Sequence, residues 1–252
     1  MRTYSGKLGV CALCAVSLLL AACGGGGGGG TPGAVQVNFQ TPALNSQATY
    51  AVTGINGLAG AFNYTYRKTH NVVNADGSFQ ATMSCLSSTP ANNVDYCLSG
   101  LIETDDATGH MQTQVIGANP VCAFSPVGEG RPFPLSVGKS WSTNWTESCG
   151  GVLAFSFALT NGVVTGNESI TVTAGTFNTM VVMYTIVWTP TGGGLPTVTM
   201  TRTVWIDIQT GGTVRTTTNY SYNVGPVGTS VVQVTQELQS YTGPTPGDAI
   251  KQ

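Results

Sequence analysis

The sequence predicts an all-β protein whose strands form antiparallel meander sheets. From Val35 onward, β-branched and aromatic residues cluster in alternating runs, and these residue types suit a pleated, half-buried surface. No window has the spacing of three to four residues between apolar positions that an amphipathic helix requires. Turn-forming residues separate the runs. We therefore expect a curved sheet, an open barrel or a sandwich, with almost no helix.

Two hairpins are predicted in the first half of the chain. The dipeptide Asp76-Gly77 is a strong hairpin turn signal, and the segment Asp105–Gly109 forms a second turn. The segment 120–134 is rich in proline and glycine and is predicted to connect two β-rich halves. The predicted strands of this half are 61–73, 78–85, 94–104 and 110–116.

The second half has a more regular strand pattern. Asn161-Gly162 predicts a hairpin turn. Residues 198–208 have one apolar face on which Arg202 is the exception, as expected for an antiparallel sheet with one buried face. The run 177–188 is apolar on both faces, which predicts a central strand. The predicted strands are 140–147, 152–160, 163–173, 177–189, 197–208, 213–224 and 229–241.

The N-terminus has the organisation of a secretory signal. Arg2 and Lys7 precede an apolar run from Val10 to Ala22, which is too short to span a bilayer as a helix. The segment Leu20-Ala21-Ala22-Cys23 resembles the lipobox of bacterial lipoproteins. The resemblance implies cleavage before Cys23, a diacylglycerol on its sulfur and an acylated new N-terminus.

Glycine-rich sequence follows the lipobox. Gly24–Gly30 is an unbroken glycine run, which predicts a flexible tether because glycine loses much conformational entropy when it is ordered. The predicted organisation is a signal peptide at 1–22, a lipidated cysteine and tether at 23–34, β regions at 35–128 and 129–242, and a flexible tail at 243–252.

Four cysteines remain after Cys23. An even number of cysteines in an exported chain points to two disulfides. Three connectivities are possible, of which we expect the nearest-neighbour pairing, Cys85 with Cys97 and Cys122 with Cys149. The spacing of the cysteines and of the two histidines does not match a zinc site, and we expect neither a metal nor a cofactor.

The charge pattern limits the classes of partner. The nine basic residues are scattered along the chain, whereas nucleic-acid binding requires a basic patch. We expect no nucleic-acid partner. The lipid implied at Cys23 predicts membrane attachment in the bacterial cell envelope, and Gly24 after that cysteine favours the outer membrane.

A second resemblance covers residues 131–220. It rests on Pro134–Trp141, Glu168–Phe177 and the segment from Val204 to Arg215. In this order they are similar to uncharacterised exported bacterial proteins of the DUF3108-like type. The resemblance implies an antiparallel β domain in the envelope and supplies no catalytic residue.

Catalytic patterns are weak in this sequence. His70 and His110 lie on predicted strands without a nearby nucleophile and acid. Glu168 and Asp207 suggest an alternative, an envelope hydrolase, if the two carboxylates converge about 5–10 Å apart in a cleft. We expect a protein that is not an enzyme.

Aromatic pairs are the main candidates for ligand contacts. Trp141 and Trp145 share a face of one strand, as do Tyr64 with Tyr66 and Tyr220 with Tyr222. They can pack in the core, or they can line a cleft for a ligand. We expect a non-enzymatic, membrane-anchored lipoprotein that binds an envelope protein, a lipid or a glycan through a β surface.

Overall fold

A computed structural model describes residues 35–57, 60–89, 97, 99–128, 130–191, 196–223 and 229–243. These residues contain fourteen strands and no helix, which confirms the all-β antiparallel prediction. The strands are β1 (Gln36–Val37), β2 (Gln47–Asn56), β3 (Gly60–Val73), β4 (Phe79–Thr89), β5 (Leu101–Asp105), β6 (Met111–Ile116), β7 (Cys122–Gly128), β8 (Leu135–Ser136), β9 (Ser140–Cys149), β10 (Val152–Val172), β11 (Gly175–Pro190), β12 (Val198–Asp207), β13 (Thr213–Asn223) and β14 (Thr229–Thr242).

Twelve of the strands form a closed antiparallel barrel. Its order is β2-β3-β4-β5-β6-β7-β9-β10-β11-β12-β13-β14, and β14 pairs with β2 to close it. Each strand pairs with the next barrel strand in the chain, so the sheet is a meander. The regions 35–128 and 129–242 both contribute strands to this one barrel. Closure leaves none of the twelve at a free lateral edge of an open sheet.

The two short strands β1 and β8 form a separate ribbon at one end of the barrel. Val37 pairs with Leu135, and the segment 38–46 then leads into β2. Along this segment, the Gln40 amide donates a 2.7 Å hydrogen bond to a carbonyl in the turn between β12 and β13. Phe39 packs over Gly109 in the turn between β5 and β6 so closely that a Cβ there would lie 2.4 Å from the ring. We call this end of the barrel the ribbon end.

The ribbon contributes to the largest apolar cluster. Val37 and Leu135 are fully buried, and they pack with side chains of β9 to β12. This packing fills one side of the barrel interior with hydrocarbon. The buried barrel residues of the cluster are Trp145, Leu159, Val164, Met180, Val182, Tyr184, Ile186, Met200, Val204 and Ile206.

The predicted hairpin at Asn161-Gly162 is wrong. β10 continues through both residues, and the register shifts there against both β9 and β11. Asn161 has a φ of 54°, so the Asn-Gly pair makes a bulge within a long strand. Bulges and hairpin turns favour the same residue types, because both require unusual backbone angles.

The predicted connection at 120–134 is also partly wrong, because it contains β7. Residues Cys122–Ser125 pair with β9, and Pro126 lies beyond the paired part, where its missing N–H breaks no bond with β9. Among the described residues of the predicted strand 94–104, β5 begins at Leu101; residues 94–96 and 98 lie outside the described part.

The apolar strand 177–188 corresponds to β11. Met180 and Val182 are fully buried, whereas Met183 is 46% exposed on the outer face. The prediction that this strand is central does not distinguish it from the others, because every strand of a closed barrel has two neighbours. The second apolar face of β11 is therefore on the outside of the barrel.

Candidate functional site

A cavity of about 770 Å³ occupies the other side of the barrel interior. Its wall is built from alternating residues of β2, β3, β5, β12, β13 and β14, which is the two-residue period of side chains on one face of a strand. The segment 38–42 and the turn between β12 and β13 border it at the ribbon end. The wall residues used below are Tyr50, Tyr64, Tyr66, Lys68, His70, Glu103, Asp105, Arg131, Tyr184, Arg202, Thr216, Thr218 and Tyr220.

Tyrosine rings form much of this wall. Tyr50 and Tyr66 stack with ring centroids 5.3 Å apart, and Tyr64 lies 6.2 Å from Tyr66. The Tyr50 hydroxyl donates to the Thr213 carbonyl at 3.1 Å. Burial, followed by the nearby Tyr220, raises the pKa of Tyr64 to about 12. The phenols are therefore neutral near pH 7 and offer both a donor and an acceptor.

An ion pair lies among these rings. The Lys68 ammonium is 2.7 Å from a Glu103 carboxylate oxygen, and both side chains are mostly buried. Burial alone lowers the pKa of Lys68, but the carboxylates of Glu103 and Asp105 more than compensate, and the net pKa lies above its ordinary value. Lys68 therefore remains charged inside the barrel.

Asp105 is a second buried carboxyl group near this pair. Burial raises its pKa to about 6, and the charges of Glu103 and Asp106 act in the same direction. Lys68 and Arg131 act against this rise. Asp105 thus changes its charge within the range of pH that cells meet.

His70 lies at the same wall. Its Nδ1 is 3.0 Å from the Ser46 hydroxyl oxygen, and its ring packs edge-on against Phe79 with centroids 5.7 Å apart. Burial, and then the Lys68 charge, lowers the pKa of His70 to about 4. The imidazole is neutral near pH 7, so this histidine adds no charge to the cavity.

Arg202 brings a cation to the wall formed by β12. Its Nε donates to the Thr218 hydroxyl at 3.2 Å, and its Nη1 donates to the Tyr184 hydroxyl at 3.4 Å. Its Nη2 is 3.3 Å from the Met200 sulfur. These contacts fix the guanidinium at the cavity surface. The group is planar and rigid, so two hydrogen bonds are enough to set its orientation.

Arg202 and Lys68 were not predicted as site residues. The available signal was the break in pattern, because Arg202 interrupts the apolar face of 198–208 and Lys68 follows Tyr64 and Tyr66 at two-residue spacing. A charge on an otherwise buried face marks a position where the interior is polar. Which strands these residues face across the barrel was not readable from local sequence.

The predicted tryptophans lie outside this cavity wall. Trp145 is buried and stacks on Phe157 with centroids 5.1 Å apart, and it borders a smaller hollow of about 340 Å³. The Trp141 indole donates to the Gly130 carbonyl at 3.0 Å, and its ring covers Gly162. Trp145 belongs to the apolar cluster, and Trp141 packs against it. A ligand role for them stays a prediction.

The acidic pair of the hydrolase alternative is divided between two environments. Glu168 accepts a hydrogen bond from the Trp205 indole and does not border the cavity. Asp207 does border it, and its carboxylate accepts bonds from the backbone N–H and the hydroxyl of Thr210 at 3.0 and 2.7 Å. Asp207 thus holds the turn after β12.

The four predicted disulfide cysteines are paired in nearest-neighbour order. Cys85 is bonded to Cys97, and Cys122 is bonded to Cys149. Glu147 lies close to the second pair, and the three side chains have the spacing of a metal site. Because both sulfurs are in a disulfide, this group lacks the thiolates that zinc prefers.

The predicted signal peptide, the lipidation site Cys23 and the tether lie outside the described residues. Residues 244–252 of the predicted tail also lie outside them. The described part of the chain contains no helix long and apolar enough to cross a membrane.

Comparisons with known proteins identify distant structural likenesses. An exported protein with a YmcC-like fold from Bacteroides fragilis has a TM-score of 0.46 at 12% identity, covering 83% of this chain and 100% of that one. A protein described as a lipoprotein from Parabacteroides distasonis has a TM-score of 0.42 at 13% identity, covering 82% and 99%. The hypothetical lipoprotein YmcC from Escherichia coli has a TM-score of 0.39 at 10% identity, covering 77% and 85%. Likenesses at this level assign no function to this chain.

No family model matches the chain, so the resemblance of residues 131–220 to DUF3108-like proteins is not confirmed. No curated protein matches it either.

Proposed function

We propose that this chain is a non-enzymatic lipoprotein of the bacterial cell envelope that binds a small molecule inside its barrel. The observation that carries the binding proposal is the cavity itself. A volume of about 770 Å³ lies within the range typical of small-molecule sites, which also combine apolar walls with a few fixed polar groups.

The composition of the wall supports ligand binding over simple packing. The opposite side of the interior is filled with apolar side chains, including those of the ribbon. The cavity side instead carries Lys68, Glu103 and Arg202 among tyrosine rings. Keeping charged groups inside a barrel costs desolvation free energy. Hydrogen bonds to a polar ligand would offset part of this cost.

The envelope location is supported by the sequence around Cys23. The secretory signal, the lipobox and the glycine run occur in the order expected for a lipidated, tethered domain. The first described strand, β1, begins thirteen residues after Cys23, so only a short stretch of sequence separates the proposed lipid from the barrel. We place the protein at the outer membrane.

The binding proposal is tested with an exported form in which residues 1–23 are replaced by a cleavable secretory signal. This form retains every described strand and both disulfides. The protein is incubated with a small-molecule extract of the envelope, and retained molecules are identified by mass spectrometry after unbound material is removed.

Two neighbouring substitutions on β13 provide the comparison. Thr216→Trp places an indole in the cavity, whereas Thr217→Trp places it on the outer face of the same strand. We expect the parent and Thr217→Trp to retain the same molecule and Thr216→Trp to lose most of it. Equal retention by all three proteins, or no retained molecule in the parent, contradicts the proposal.

A further inference from the structure

We infer that the ligand of this cavity is a polyhydroxylated ring compound of the saccharide type and not an acyl chain. This inference rests on the proposed function, because it names the ligand class for the same cavity. It is carried by the arrangement of hydrogen-bonding groups around the walls.

The donors and acceptors come from different strands of the wall, and one donor, Lys68, is already paired with the acceptor Glu103. Lys68 on β3 and Arg202 on β12 can only donate hydrogen bonds, whereas the Glu103 carboxylate on β5, in its ion pair with Lys68, accepts them. The tyrosine phenols and the Thr218 hydroxyl can do both. Among common small groups, the hydroxyl also does both. A ligand that carries several hydroxyls around a ring can therefore form hydrogen bonds with all of these donors and acceptors at once.

The aromatic rings of the wall are the second feature that favours a saccharide. Tyr50 and Tyr66 stack on each other with an interplanar angle of 24°, and the Tyr64 ring lies beside Tyr66 at a tilt of 38°. Aromatic rings offer rigid apolar area at little entropic cost, and a phenol oxygen can also accept a hydrogen bond when its own proton is donated elsewhere, as in Tyr50. The C–H face of a sugar ring can pack on such a surface while its hydroxyls bond to the edges.

An acyl chain is disfavoured by the same residues. Its hydrocarbon would lie against Arg202 and the Lys68–Glu103 pair without offering them a hydrogen-bond partner, since only its terminal head group can do so. Burying charged groups against hydrocarbon is strongly unfavourable. The available apolar volume for such a chain is further reduced because Val37, Leu135 and the cluster of β9 to β12 already fill their side of the interior.

The test uses the exported form with carbon-13-labelled tyrosine rings and four probes: maltose, N-acetylglucosamine, glucuronate and decanoate. Nuclear magnetic resonance measures whether each probe shifts the ring signals in a saturable manner. We expect at least one saccharide to shift the signals of Tyr64 and Tyr66, and decanoate to leave them unchanged.

Three variants test which side chains the saccharide contacts. Arg202→Met should weaken saccharide binding by about tenfold or more, since it removes hydrogen bonds from a charged donor. Tyr66→Phe keeps the ring and should weaken binding by about threefold or more, which provides a readout if Arg202→Met does not fold. Arg67→Met removes a cation from a residue of β3 that does not border the cavity, and binding should change less than twofold.

Saturable shifts with decanoate, or no shift with any saccharide, overturn the inference. Equal effects of Arg202→Met and Arg67→Met overturn it as well. In each case the retention experiment with Thr216→Trp and Thr217→Trp still decides separately whether the cavity binds a small molecule.

Discussion

Individual charged side chains determine the character of the barrel interior. Arg202 lies on a face that is otherwise apolar, and it is held by Tyr184 and Thr218. Lys68 on β3 is held by Glu103 on β5, across the intervening strand β4. Asp105, Arg131 and Asp207 border the same cavity. The cavity wall is therefore polar and charged as well as aromatic.

Asp105 gives a prediction about the pH dependence of stability. Its pKa of about 6 in the folded protein lies above the value of about 3.9 expected in the unfolded chain. The folded state therefore binds more protons between these values, and the contribution of Asp105 to stability falls as the pH rises from about 4 to about 6. Asp105→Asn removes this loss.

The measurement is the free energy of unfolding of Asp105→Asn and of the parent at pH 4 and pH 7, with disulfides intact. The variant should gain about 2 kcal/mol relative to the parent between these pH values. His70, whose pKa is lowered to about 4, has the opposite slope, but it is present in both proteins and cancels in the difference. A constant difference between the two proteins contradicts the account of Asp105.

At the scale of single elements, the bulge in β10 is the clearest difference from the sequence-based prediction. The Trp141 ring lies directly over Gly162, where an added Cβ would lie 2.6 Å from the ring. Gly166 lies four residues further along the same strand with no atom within 4 Å of such a Cβ. These two glycines therefore form a matched pair.

We predict that Gly162→Ala lowers the free energy of unfolding by about 2 kcal/mol, because the indole must shift within a packed cluster. Gly166→Ala should leave it unchanged or raise it by up to about 1 kcal/mol, since alanine restricts the unfolded chain. Denaturant unfolding monitored by tryptophan fluorescence measures both. Similar losses in the two variants would show that the close approach of Trp141 is not the cause.

Local sequence predicts the strands better than it predicts the cavity. The turns at Asp76-Gly77 and at Asp105–Gly109 are confirmed, because they depend on residues close together in the chain. The hairpin turn predicted at Asn161-Gly162 is wrong because bulges and turns favour similar residues. The cavity requires β14 to pair with β2, and Val232 pairs with Asn56 across most of the chain. No local pattern encodes that contact.

At the scale of the whole molecule, the anchor is the feature to test. Cells that grow with an alkyne-bearing fatty acid should label the parent protein, and Cys23→Ser should lose the label and leave the outer-membrane fraction. Cys14→Ser, which changes another cysteine within the predicted leader, should keep both properties. Label on Cys23→Ser, or an unlabelled parent, would exclude lipidation at Cys23.

The central claim is that the barrel holds a ligand between its tyrosine and charged walls. The most direct measurement is a crystal structure of the exported form purified without denaturation and loaded with the molecule that it retains from envelope extract. Our account predicts ligand density within hydrogen-bond distance of Arg202 and in contact with the rings of Tyr64 and Tyr66. Density for that molecule outside the barrel, for example beside Trp145, with only water in the cavity, would contradict it.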